Sequence, residues 1–104
     1  MLELLLKDKE CQWISELDPE LQAKLMIQLG INWTVMEKYR QGLNQSEDAR
    51  RFALEHQIPL QAARAQYQIA TNLLHLCKRD ESHNALLQAR EEFKMIGTTA
   101  HQQE

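Results

Sequence analysis

Residues 19–57 and 59–97 are two versions of one pattern, offset by forty residues without a gap. Laying residue n over residue n+40 pairs Pro19 with Pro59, Ala23 with Ala63, Gln28 with Gln68 and Asn32 with Asn72. It also pairs Lys38 with Lys78, Asn44 with Asn84, Ala49 with Ala89 and Arg50 with Arg90. Eight identities stand where average composition would give about two or three. Two helix-length segments recur in each copy, and a fixed period of this size is the signature of helix pairs that stack on one another.

The residue types agree with that reading. Only three Gly and two Pro interrupt 104 residues rich in Leu, Gln, Ala, Glu and Arg, all good helix formers, and aromatic residues make up 6%. The expected fold class is all-α. The chain is one domain in size, long enough for a modest, thin core. Of the net charge of −3, the excess acidity falls in residues 1–18, and no basic stripe suggests a nucleic-acid partner. The run from Met1 to Asp8 is too short and too soon interrupted by charge to span a membrane, so no membrane partner is expected. Two thiols, Cys11 and Cys77, in a chain without a recognisable signal peptide favour a reduced, cytoplasmic setting.

Residues 1–17 place Leu2, Leu5, Leu6, Trp13 and Leu17 on one face of an amphipathic helix. Asp18-Pro19 closes it and opens the next, since Asp caps helices well and Pro suits the first helical position. That helix is expected from Pro19 to about Met36, with Leu25, Met26, Leu29, Trp33 and Met36 inward. A mid-helix Gly30 costs about 1 kcal/mol relative to Ala, which points to another backbone passing close by. Local composition marks Gly42-Leu43-Asn44-Gln45-Ser46 as a loop. The repeat register overrules it, putting the turn near residues 37–39 and carrying the helix through Gly42 to His56. Pro59 opens a helix to about Leu76 with Tyr67, Ile69, Ala70, Leu73, Leu74 and Leu76 as its apolar positions. A turn at Lys78-Arg79-Asp80 follows, then a last helix to Met95 with Ala85, Leu86, Ala89, Phe93 and Ile96 inward. Gly97 is expected to stop it, leaving residues 98–104 as a polar tail.

The two copies resemble the tetratricopeptide repeat. That family's first small position falls on Ala23 and Ala63, its Leu-Gly pair on Leu29-Gly30 and Ile69-Ala70, and its aromatic on Trp33 and Leu73. Its second small position falls on Gly42 and Ser82 and its later Ala on Ala49 and Ala89, while Met36–Leu43 is similar to its inter-helix turn. Gln66 and Ser46 stand where it has large apolar residues. The period of forty exceeds the usual thirty-four or so, which resembles the longer-helix branch of bacterial regulators and peptide-sensing proteins. The resemblance implies a stack of antiparallel pairs of about five helices, B-A-B-A-B. Residues 1–17 form a half repeat, 18–57 and 58–97 the two full repeats, and 98–104 the tail.

Candidate chemistry is sparse. His75, Cys77 and His83 lack zinc spacing, and Cys77 is read as a small core residue at an inter-helix turn. Asp80-Glu81, Arg90-Glu91-Glu92 and Asp48-Ala49-Arg50-Arg51 read as solvated faces. Neither phosphate loop nor nucleophile elbow is present, so no enzyme, metal or cofactor is expected. The resemblance implies a concave groove lined by Lys24, Ile27, Ile31, Thr34 and Val35, then by Arg64, Tyr67, Thr71, Leu74 and His75. It lacks the Lys/Asn set of the chaperone-tail carboxylate clamp. The expected function is therefore a non-catalytic protein–protein interaction module, the sensory or scaffold part of a bacterial regulator, binding a peptide or partner domain. The alternative is a structural homodimerisation domain that buries its open ends, at Leu2, Leu5, Leu6 and Trp13 and at Phe93 and Ile96.

Overall fold

The computed structural model describes residues 18–103, and their side chains over 18–97. Among these it contains four α-helices and no strand: α1 (Pro19–Val35), α2 (Tyr39–Glu55), α3 (Pro59–His75) and α4 (Arg79–Gln103). The helix expected over residues 1–17, with its apolar Leu2, Leu5, Leu6 and Trp13, lies outside the described residues. The helix through Gly42–Ser46 is unbroken, as the register requires and local composition does not.

Helices begin at residues 19, 39, 59 and 79, one every twenty residues. The connections that set this spacing are three copies of one hydrogen-bonded turn. Glu37, Gln57 and Cys77 each adopt the left-handed conformation, with φ of 62°, 56° and 63°. The next amide in each case donates five residues back, Lys38 to Trp33 at 2.9 Å, Ile58 to Ala53 at 2.8 Å and Lys78 to Leu73 at 2.9 Å. The left-handed residue itself donates three residues back, to Thr34, Leu54 and Leu74. This is the Schellman arrangement, and here its last residue is also the N-cap of the following helix. Lys38, Ile58 and Lys78 provide no side-chain cap, and neither does Asp18 although it stands at the cap position. The last connection is at 76–78, so Arg79 and Asp80 are helical rather than part of the turn.

Three-residue connections fold consecutive helices back on one another. Each helix packs on its predecessor, α1 also touches α3, and α1 and α4 share no packed interface, as a closed four-helix bundle would require. Among the described residues nine of the twelve buried apolar side chains are Ala, including Ala23, Ala53 and Ala62 in one cluster and Ala49 and Ala65 beside Ile27 in another. Such short side chains let backbones approach, and many of the long ones are exposed. On α1 the buried residues are Ala23, Ile27 and Gly30, whereas Leu29 and Met36, expected inward, are exposed. Leu74, Leu86 and Phe93 are exposed likewise, beside buried Ala70, Ala85 and Ala89. The contact line therefore lies about one residue around each helix from the line of largest side chains.

Two glycines show how close the approach is. A Cβ on Gly42 would fall 2.6 Å from Asn72 Oδ1 and 2.8 Å from Thr34 Oγ1, and one on Gly30 would lie 3.1 Å from Ser46 Oγ. Gly97 is the contrary case. It has no positive φ, α4 runs through it to Gln103, and the stop expected there is not formed. A Cβ at Gly97 would meet nothing within 4 Å.

Cys77, the left-handed residue of its turn, is exposed rather than part of the core. Arg50 and Glu92, read as solvated, instead form a two-pronged ion pair at 2.9 and 3.0 Å, and Arg50 Nη1 also donates to the Ala62 carbonyl at 3.0 Å. The pair ties α2 to α4 across the start of α3, whereas neighbouring Arg51 makes only an exposed pair with Asp48.

Two stability predictions result. Left-handed backbone costs an L-residue roughly 1–2 kcal/mol and glycine almost nothing, against which glycine loses about 0.5–1 kcal/mol of chain entropy. Thermal melts of Glu37→Gly and Gln57→Gly should show a net gain of up to about 1 kcal/mol each, and Gln57→Val a loss. Gly42→Ala should lose about 1–3 kcal/mol by overpacking despite better helix propensity, while Gly97→Ala should gain about 1 kcal/mol. Equal melting shifts for the two alanine variants would contradict the packing described here.

Candidate functional site

With α1 and α3 both packed on α2, their remaining faces form the two walls of a cleft. Lys24, Ile27, Gln28 and Ile31 recur every three or four residues along α1, and Gln61, Arg64, Tyr67 and Gln68 do so along α3, so each set shares one helix face. Phe93 of α4 completes the lining of a cleft of about 540 Å³. Volumes of this order suit a ligand or a short peptide segment.

The lining contains two cations and no carboxylate, in a chain of net charge −3. Lys24 is 3.9 Å from Glu20, with both side chains about half exposed, a pairing worth little in water. Arg64 is exposed and makes no ion pair with any described residue. Ile27, Ile31, Tyr67 and Phe93 are the apolar and aromatic members of the lining, and Tyr67 is half exposed.

Gln61 is the unusual member. Its side chain has no exposure, yet neither its Nε2 nor its Oε1 makes a hydrogen bond. The local cause is the turn that starts α3. Gln61 is the third helical residue, from which a Gln ordinarily reaches back to the backbone N–H of the cap residue. Here that N–H, on Ile58, already donates to Ala53 at 2.8 Å. The other buried polar side chains are all satisfied. Ser46 donates to Gly42 at 2.8 Å, Gln66 to Ala85 at 3.2 Å, Ser82 to Ala70 at 2.7 Å and Asn72 to Gln68 at 2.9 Å.

Of the groove residues expected from sequence, Lys24, Ile27, Ile31, Arg64 and Tyr67 line this one cleft. The others do not. Thr34 Oγ1 donates to Asn72 Oδ1 at 2.8 Å beside Gly42, and Thr71 donates to the Tyr67 carbonyl at 3.1 Å. His75 stacks on Tyr39, ring centroids 4.3 Å apart and nearly parallel. Val35 and Leu74 are exposed outside the lining. Gln28 and Gln68 were missed, although their identity across the repeat was a usable signal. Gln61 had none, since its counterpart in the other copy is the exposed Leu21.

Tyr67 and Phe93 also border a second concavity with Leu86, Ala89, Arg90 and Lys94, between α3 and α4. Among the described residues no group of three or more His, Cys, Asp or Glu side chains could hold a metal ion, and no helix is long and apolar enough to cross a membrane. No family model matches the chain, and no curated protein or solved structure is significantly similar to it.

A buried carboxamide without partners costs about 1–3 kcal/mol, which a shape-matched apolar side chain does not incur. Gln61→Met should therefore raise stability by about that amount, seen in chemical denaturation as a higher midpoint at unchanged slope. A lower midpoint would mean that the carboxamide is satisfied in solution.

Proposed function

We propose that the chain is a non-catalytic protein-interaction module of the tetratricopeptide type, working in the cytoplasm as the sensory or scaffold part of a bacterial regulator. A peptide or a segment of a partner domain would lie between α1 and α3. The observation that carries this reading is the cleft itself, an apolar trough with cations on both walls and room for a ligand. Support for the repeat type comes from the forty-residue register together with helix starts and turns that recur every twenty residues. The side chains around the cleft suit recognition rather than bond-making. The lining has no carboxylate, His, Ser or Cys, and its groups of a kind that can act as base or nucleophile are Lys24 and Tyr67, on opposite walls.

A second reading is favoured by one observation. Leu86, Leu87, Phe93 and Met95 are all exposed on α4, which has no following helix among the described residues. A second copy could cover it, giving a homodimer whose role is structural.

The two readings separate by experiment. Random-peptide phage selected on the immobilised chain should enrich related sequences, and enrichment should disappear with Ile31→Ser/Tyr67→Ala, a variant checked by circular dichroism for retained helix. Sedimentation velocity of wild type and Leu86→Glu reads the second. A dimer that Leu86→Glu converts to monomer, with no peptide enrichment, would replace the first reading by the second.

A further inference from the structure

The reading of the cleft as a peptide site can be carried to a class of peptide. Gln61, one of the residues lining the cleft, holds an unused donor and an unused acceptor, Nε2 and Oε1, that are buried in the free protein. In an extended strand the N–H and C=O of one residue point to the same side, where a primary carboxamide can receive the first and donate to the second. A helix offers no such pair, because its backbone groups are spent internally. Charge narrows the ligand further. Lys24 stands on one wall and Arg64 on the other, with no carboxylate between them, while Ile27, Ile31, Tyr67 and Phe93 are apolar. A free phosphate or other small anion would leave those four side chains unmatched. A strand alternating acidic and apolar side chains meets both demands, since successive residues face opposite sides, one set toward the exposed Lys24 and Arg64 and the other toward the buried Ile27 and half-buried Ile31.

We propose that the cleft binds an extended acidic peptide, with Gln61 holding the N–H and C=O of one residue and Lys24 and Arg64 facing its carboxylates. This rests on the interaction reading above. The carboxamide has no accessible surface in the free protein, so neighbouring side chains must part before a strand reaches it. Tyr67 and Phe93, like Lys24, Gln28 and Arg64, are exposed members of the lining and so able to change rotamer.

The test uses fluorescence anisotropy of the full chain with a dye-labelled, end-blocked pentapeptide of alternating Glu and Leu. Two control peptides accompany it: the Lys-Leu counterpart, and the Glu-Leu peptide N-methylated at its central amide. Wild type should bind the acidic peptide and not the basic one, and Arg64→Glu should abolish the difference. Gln61→Met should weaken acidic-peptide binding at least tenfold without lowering the denaturation midpoint, so the loss cannot be put down to unfolding. N-methylation should weaken wild type by a similar factor and have little further effect on Gln61→Met, because both changes remove one contact. Equal binding by wild type and Gln61→Met, additive effects of variant and N-methylation, or no binding of the acidic peptide would each overturn the assignment. If phage selection still enriches Tyr67-dependent sequences in those cases, the interaction reading stands and only the peptide class and the role of Gln61 fall. If nothing is enriched, both fall.

Discussion

Three helices meet where Gly42 has no side chain. Into the space left by the missing Cβ come Thr34 of α1 and Asn72 of α3, and the hydroxyl of the first donates to the carboxamide of the second at 2.8 Å. Asn72 in turn donates to the Gln68 carbonyl, so both ends of its amide are used. This part-buried contact holds α1 and α3 side by side on α2. The two walls of the cleft are the continuation of those same helices toward their N-terminal ends. Were α2 held further out by even a methyl group, the walls would lose their common support.

Close packing of this kind has a cost in buried area. Alanine contributes little apolar surface, and a core made mostly of it supplies less hydrophobic stabilisation per residue than one of Leu and Phe. Part of the difference is made up by hydrogen bonds that cross between helices. Gln66 reaches the Ala85 carbonyl, Ser82 that of Ala70, Gln45 that of Met26 and Arg50 that of Ala62. Each uses the second lone pair of a carbonyl, and each requires one helix to sit at one height against its neighbour. Register is set as much by these as by apolar contact. Against that background Gln61 stands apart: it is as buried as the others, at the lining of the cleft, and its amide is unspent.

Much of the architecture was legible in the residues, and what was missed has definite causes. Proline at 19 and 59 marks two helix starts, and the forty-residue register located the connection before Tyr39 where local composition would have put a loop at 42–46. Side-chain size predicts inner faces that are rotated from the observed ones, because at these helix separations small residues take the centre of the contact. Gly97 looked like a stop, but glycine ends a helix only where the chain turns left-handed, and here Glu37, Gln57 and Cys77 do so without being glycine. Among the groove positions, five reached the cleft because they follow helical spacing, and Thr34 and His75 did not because neighbouring helices engage them.

What the sequence determined by itself is periodic: helix-forming composition, doubled units and positions that must be small. Those properties are local or recur at a fixed offset, so one strand of letters carries them. What only the tertiary structure decided is pairwise and non-repeating. Arg50 finds Glu92 forty-two residues away across the start of α3, a contact no periodicity announces. Gln61 is buried because α3 enters the fold at that depth, and it lacks a partner because the Ile58 amide is already bonded to the preceding helix. Both depend on how far one helix stands from the next, a distance set by the summed sizes of side chains from different elements.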